Sequence, residues 1–211
     1  MNKHKVFISY HHHNDQQYKE TLLEINKTYG IFIDASVDTG DIDSNLSDQS
    51  IRTKIRDDYL KDSTVTILLV GTDTKYRKHV DWELYSSMYD GQVNKKSGIL
   101  VVMLPSTNCD NFRAAHGDKE KELLYPHIGS WISIDSESTL KERYPCAPKR
   151  IIDNLKNNSA NISVVSWEKF TSSVDIMTKL IQWTFEDRAN AAYDLSTPMR
   201  RINSGALSSL I

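Results

Sequence analysis

Cysteine is nearly absent. The 211 residues carry two, Cys109 and Cys146. Two isolated thiols make neither a disulfide framework nor a metal cluster, so a reducing compartment is expected. Charge of one sign is lacking too: 26 Lys and Arg stand against 28 Asp and Glu, a formal net charge of −2. That balance gives no push towards nucleic acid or a membrane surface, both of which select a basic patch. No apolar run approaches the length that spans a bilayer. Met1 to Lys5 shows neither the charged nor the apolar region of a secretory leader, and a cytoplasmic location is expected. No internal repeat is visible. What is present, 39% hydrophobic and 26% charged residues, suits one domain with a buried core and a well solvated surface, with or without an appendage.

Patterning along the chain alternates between strand and helix. Lys5 to Tyr10 (KVFISY) is a β-branched and aromatic run that reads as a first strand. A polar loop, His11 to Asn14, leads to a helix capped by Asn14 or Asp15, with Tyr18, Leu22, Ile25 and Tyr29 at helical spacing and Gly30 as its stop. Ile31 to Val37 reads as a short edge strand, followed by a polar loop to Ser47, which can cap a helix carrying Ile51, Ile55 and Tyr59. TVTILLV (64–70) and GILVVML (98–104) are almost wholly apolar, as in parallel strands covered on both faces. A helix from Lys78 to about Gln92 lies between them. Further on, Asp118 to Pro126 and Lys149 to Lys156 read as short helices, SWISI (130–134) and NISVV (161–165) as strands. Ser166 caps a final helix with Phe170, Val174, Met177 and Ile181 on its buried face, running past Trp183 towards Tyr193. From Ser196 the tail reads as loose, or as ordered only by a partner. The order is that of an α/β, doubly wound parallel sheet.

In such a sheet the ligand crevice lies at the carboxyl ends of the strands. Three segments fall there: Ser9 to Asn14, Ala35 to Ser47 and Gly71 to Glu83. The first, SYHHHND, has no glycine that would let backbone approach a pyrophosphate, which excludes a dinucleotide fingerprint; a Walker loop is absent as well. A response-regulator site wants paired acids after the first strand and an aspartate after the third, where Ser9, Tyr10 and Gly71 stand. His11 to His13 resembles a metal tract, but adjacent loop residues seldom point at one ion, and a polar loop is the preferred reading. The acids Asp34, Asp38, Asp41, Asp43 and Asp48 do not make a calcium loop, because Gln49 sits where a glutamate is required. Glu83 is different. With Val80, Leu84 and Met88 as the inward stripe, and about 100° per residue, it falls at the stripe's edge near a helix N-terminus, able to face the crevice.

Three pieces together resemble the TIR and bacterial TIR-like family. VFISY followed by an aspartate resembles the family's first strand and loop. TVTILLVG, then a tyrosine and VDWEL, resembles its third strand and the helix that bears a glutamate after tryptophan; Trp82 and Glu83 match. YPCAPKRIIDNL (144–155) is similar to a feature of the branch that includes the sensor of the Thoeris antiphage system. The resemblance implies a flavodoxin-like fold of five parallel strands, a TIR-like domain over 1–187 and a C-terminal helical extension or tail over 188–211. It implies NAD+ as substrate, with no resident cofactor and no metal, and cleavage of its nicotinamide–ribose bond. Glu83 would be catalytic. Phe7, Ser9, Tyr10, His11, Asp34, Ala35, Ser36 and Trp82 would bind the substrate, Phe7, Tyr10 and Trp82 walling in its rings. Backbone N–H groups near Asn14 and Asp15 would receive the diphosphate. Self-association through the loop after the second strand, and a downstream effector that senses an ADP-ribose-type product, linear or cyclic, are the implied partners. Two alternatives stand beside it: a non-catalytic TIR-like interaction module, and a nucleoside deoxyribosyltransferase-like enzyme with a glutamate nucleophile.

Overall fold

The two apolar runs form the centre of the sheet, since only a strand covered on both faces can hide six consecutive apolar or near-apolar side chains. In the computed structural model, which describes residues 3–36, 46–60, 62–92 and 94–204, these are β3 (Val65–Val70) and β4 (Gly98–Met103), every residue buried. They pair in parallel from Val65↔Gly98 to Val70↔Met103. β1 (Lys5–Ser9) pairs with β3, β2 (Ile33–Asp34) closes one edge, and β5 (Ser163–Ser166) closes the other. The strand order is β2-β1-β3-β4-β5, all parallel. β2 is two exposed residues, as its edge position allows.

Helices cover both faces. α1 (His12–Tyr29), α7 (Trp167–Thr171) and α8 (Val174–Asp187) bury Leu22, Phe170, Met177 and Leu180 against Val6, Ile8, Ile67 and Leu100. On the opposite face α3 (Lys78–Met88) and α6 (Lys149–Leu155) bury Val80, Leu84, Met88, Ile151 and Leu155 against Leu68, Val70 and Val101. α2 (Asp48–Lys54), extended by a π-helical turn over Ile55–Tyr59, adds a smaller cluster: Phe7, Ile51, Ile55, Leu60, Trp82 and Met199. α4 (Asp118–Leu124) and α5 (Glu137–Arg143) lie in the connection from β4 to β5. Among the described residues no helix is long and apolar enough to cross a membrane.

Several expectations are corrected. α1 starts at His12, not after Asn14, because His11 supplies the cap: its side chain accepts from the Asn14 N–H. SWISI is not a strand, and β5 meets β4 without it. The helix from Ser166 is two helices, because Ser173 caps a new start and α8 ends at Asp187. The tail from Ser196 is not loose up to Ser204. Met199 is 3% exposed in the α2–α3 cluster, Arg200 N–H donates to Asp81, and Arg201 pairs with Asp48. The acids Asp38, Asp41 and Asp43, and most of the loop expected to mediate self-association, lie outside the described residues.

Candidate active site

The strand order reverses between β1 and β3: from β1 the chain goes out to β2, from β3 to β4. Loops leaving these strands therefore diverge and leave a crevice at their carboxyl ends. On β1 the two-residue period sends Phe7 and Ser9 to the α3 face and Val6, Ile8 and Tyr10 to the α1 face. Ser9 is the last residue of the strand and is fully buried. Its hydroxyl donates to Glu83 Oε2 at 2.6 Å. Glu83 thus brings its carboxyl from α3 to the end of β1, at the reversal point. It is 2% exposed. Burial pushes its pKa up to about 8, against smaller opposing effects of the Ser9 hydrogen bond and the positive charge of Lys19. At neutral pH this carboxyl is mostly protonated.

A second buried acid lies across the crevice. Asp15, on the first turn of α1, is 3% exposed, and burial raises its pKa to about 6. Its carboxylate rests on Gly71, directly after β3, where a Cβ would come within 2.4 Å of Asp15 Oδ2. A Cβ there would have to displace that carboxyl, so contact rather than φ favours glycine. The Gly71 N–H donates to Thr74 Oγ1 at 2.9 Å, and that hydroxyl donates on to Asp15 at 3.4 Å. Asn14 donates to Asp73 at 2.8 Å, which ties the β1 loop to the β3 loop.

Of the residues expected at the site, Ser9 and Glu83 touch directly. Ser36 joins them at β1: its hydroxyl accepts from the Ile8 N–H, and its own N–H donates to Asp34. Ala35 extends the ladder by donating to Val6 O. Phe7 and Trp82 pack together beneath α3 with Met199, 2% and 0% exposed, and the Trp82 Nε1–H donates to Arg200 O at 2.6 Å. Their rings belong to the core here. Tyr10 is 3% exposed on the other face of β1; its hydroxyl donates to Gln16 and its ring stacks on His12. His11 is buried at the helix start, and burial, then Arg77, lowers its pKa. Its backbone oxygen accepts from the N–H groups of both Asn14 and Asp15, so those two amides, expected to meet a diphosphate, are already engaged. Two cavities beyond β4, of about 480 and 460 Å3, are lined by neither Ser9 nor Glu83.

Sequence reasoning missed the Asp15 carboxyl and Lys19 at the site. The signal was there: with Leu22 they occupy i, i+4 and i+7 of α1, all three buried. An acid and a lysine at core-facing helical positions stand where apolar residues belong. Lys19 Nζ lies 5.3 Å from the Tyr10 ring centroid.

A five-stranded parallel sheet of this order, with a buried glutamate on the third-strand helix reaching the end of the first strand, defines a TIR-like α/β domain. Residues 7–109, from β1 through α3 and β4, match the family model described as Thoeris protein ThsB, TIR-like domain. Over that span, just under half of the chain, the sequence is similar to a TIR-like Thoeris domain. No curated protein and no solved structure matches the chain.

Proposed function

We propose that the protein cleaves the nicotinamide–ribose bond of NAD+ as a glycohydrolase or cyclase, and that Glu83 is the catalytic carboxylate. The carrying observation is the 2.6 Å contact between Ser9 and Glu83 at the reversal point of the sheet. The C1′–N1 bond breaks, and its electron pair goes to the pyridinium nitrogen, releasing neutral nicotinamide. No strong general acid is needed, because the leaving group departs from a cation. C1′ passes through an oxocarbenium-like state, which a carboxylate on the ribose stabilises electrostatically, as in glycoside hydrolysis. Water then attacks C1′ and loses a proton to give ADP-ribose, or a nucleophile within the same molecule attacks to give a cyclic product.

The substrate is a cation at its pyridinium ring, so its arrival favours the ionised form of a carboxyl held near pKa 8 when empty. Ser9 donates to the oxygen that bears the charge and fixes its direction. A carboxyl 2% exposed reaches no sugar without movement of what covers it. Activity is therefore tied to opening, which assembly or a phage cue would supply. The ADP-ribose-type product would carry the signal to an effector.

The test is incubation of concentrated protein with NAD+ and identification of products by mass. Free nicotinamide with ADP-ribose or its cyclic form is expected, and Glu83→Ala is expected to lower the rate by about 10²–10³-fold. Full rate in Glu83→Ala rules out the mechanism.

A further inference from the structure

The segment between β4 and β5 lies almost wholly beyond the family match and builds a cavity of its own. Its volume is about 480 Å3, within the range of sites for small organic ligands. Phe112 and Trp131 line it, with Tyr125 behind: Phe112 and Tyr125 stack at 3.9 Å, and Trp131 meets both edge-on at 5.8 Å. Three cations line it as well, Arg113, Lys121 and Arg143, and no acidic side chain is among its lining residues. Lys121 Nζ sits 5.4 Å from the Trp131 ring centroid, paired with the exposed Asp118 at 3.0 Å. Arg113 is spent on structure, donating to Leu155 O and Asn158. Arg143 is spent only in part, on the Tyr144 side chain; its Nε is buried with no hydrogen-bond partner among the described residues.

A buried, unpartnered guanidinium N–H carries an energetic penalty that an anionic acceptor removes. Flat aromatic faces next to it suit a planar ring. We propose that this cavity binds a nucleotide-class ligand, the base against Trp131 and Phe112 and a phosphate against Arg143 and Lys121. The site goes beyond the reading of Glu83 and does not depend on it. It is set off the β1–β3 crevice, and so it would read nucleotide levels rather than turn NAD+ over.

The test is titration of the full chain with AMP, adenosine and inorganic phosphate, followed by calorimetry and tryptophan fluorescence. Saturable one-to-one binding of AMP is expected, at least tenfold tighter than either fragment. Trp131→Ala and Arg143→Gln are each expected to weaken it by about tenfold or more, the scale of one stacked base or one charged hydrogen bond. Lys121→Gln, at a partly exposed position that folding tolerates, should weaken binding several-fold and reduce its salt dependence. Glu83→Gln should leave it unchanged, which separates this site from the proposed catalytic one. AMP binding no tighter than phosphate or adenosine overturns the proposal. So does wild-type affinity in folded Trp131→Ala and Lys121→Gln proteins, or loss of AMP binding in Glu83→Gln.

Discussion

Glu83 and Asp15 both hold protons more tightly than free carboxyls, and this fixes how stability depends on pH. Between about 4.5 and about 8 the unfolded chain has released the Glu83 proton while the folded chain retains it. The unfolded state binds fewer protons there, so folding stability falls as pH rises through that window and levels off above it. Asp15 acts in the same direction between 3.8 and about 6. Glu83→Gln keeps the shape and the Ser9 contact and cannot ionise. It is expected to flatten the Glu83 part of the profile and to raise stability at pH 8 by about 1–3 kcal/mol, measured by denaturant unfolding across pH. A variant no more stable than wild type at pH 8 would show that Glu83 is ionised in the folded chain. At this scale the sequence was partly legible. The edge of the Val80–Leu84–Met88 stripe placed Glu83, because helical periodicity is local. Ser9 was expected at the site, but its hydrogen bond to Glu83 was not, because strand-to-helix register is set by tertiary packing. His11 as a cap was hidden by its type, since cap preference favours Ser, Thr, Asp and Asn.

The element that carries the site is α3, and the segment after α8 holds it. Arg150 on α6, 1% exposed, forks onto both oxygens of Asp81 at 2.8 and 3.1 Å and donates to Thr197 O and Pro198 O. Asp81 also accepts the Arg200 N–H, and the next residue, Trp82, donates to Arg200 O. At the start of α3, Lys78 N–H donates to Asn203. Removing one partner of a buried ion pair leaves the other uncompensated, so Asp81→Ala is expected to cost about 3–5 kcal/mol in denaturant unfolding. A loss below about 1 kcal/mol would mean the clamp is not coupled to folding. The central strands were read from sequence because β3 and β4 need no neighbour to explain them: an all-apolar run is buried whatever its topology. SWISI failed for the converse reason. Its alternation is that of a half-buried strand, yet Trp131 joins an aromatic cluster while Ile132 is 76% exposed, and no strand beside it takes its backbone. The tail was misread because its anchor is Met199, one apolar residue among polar ones, with no period to detect.

For the whole molecule, the segment after Asp187 closes the cluster formed by Phe7, Ile51, Ile55, Leu60 and Trp82. We propose that the 1–187 unit therefore leans on it. A chain ended at Asp187 loses the Met199 side chain, and a buried Met→Ala change alone costs about 2–5 kcal/mol. Such a chain is expected to unfold at lower denaturant and to show red-shifted tryptophan emission as Trp82 meets water. Unchanged emission and midpoint would assign the segment no part in the fold.

One substitution joins these scales. Glu83→Gln is isosteric and is expected to fold at least as stably as the wild type, so any loss of function in it reports chemistry. NAD+ turnover by the two proteins, side by side at the same high concentration with nicotinamide release as the readout, is the most direct measurement. Cleavage by the wild type and a rate at least about 10²-fold lower in Glu83→Gln is the predicted result; equal rates in the two proteins would contradict it.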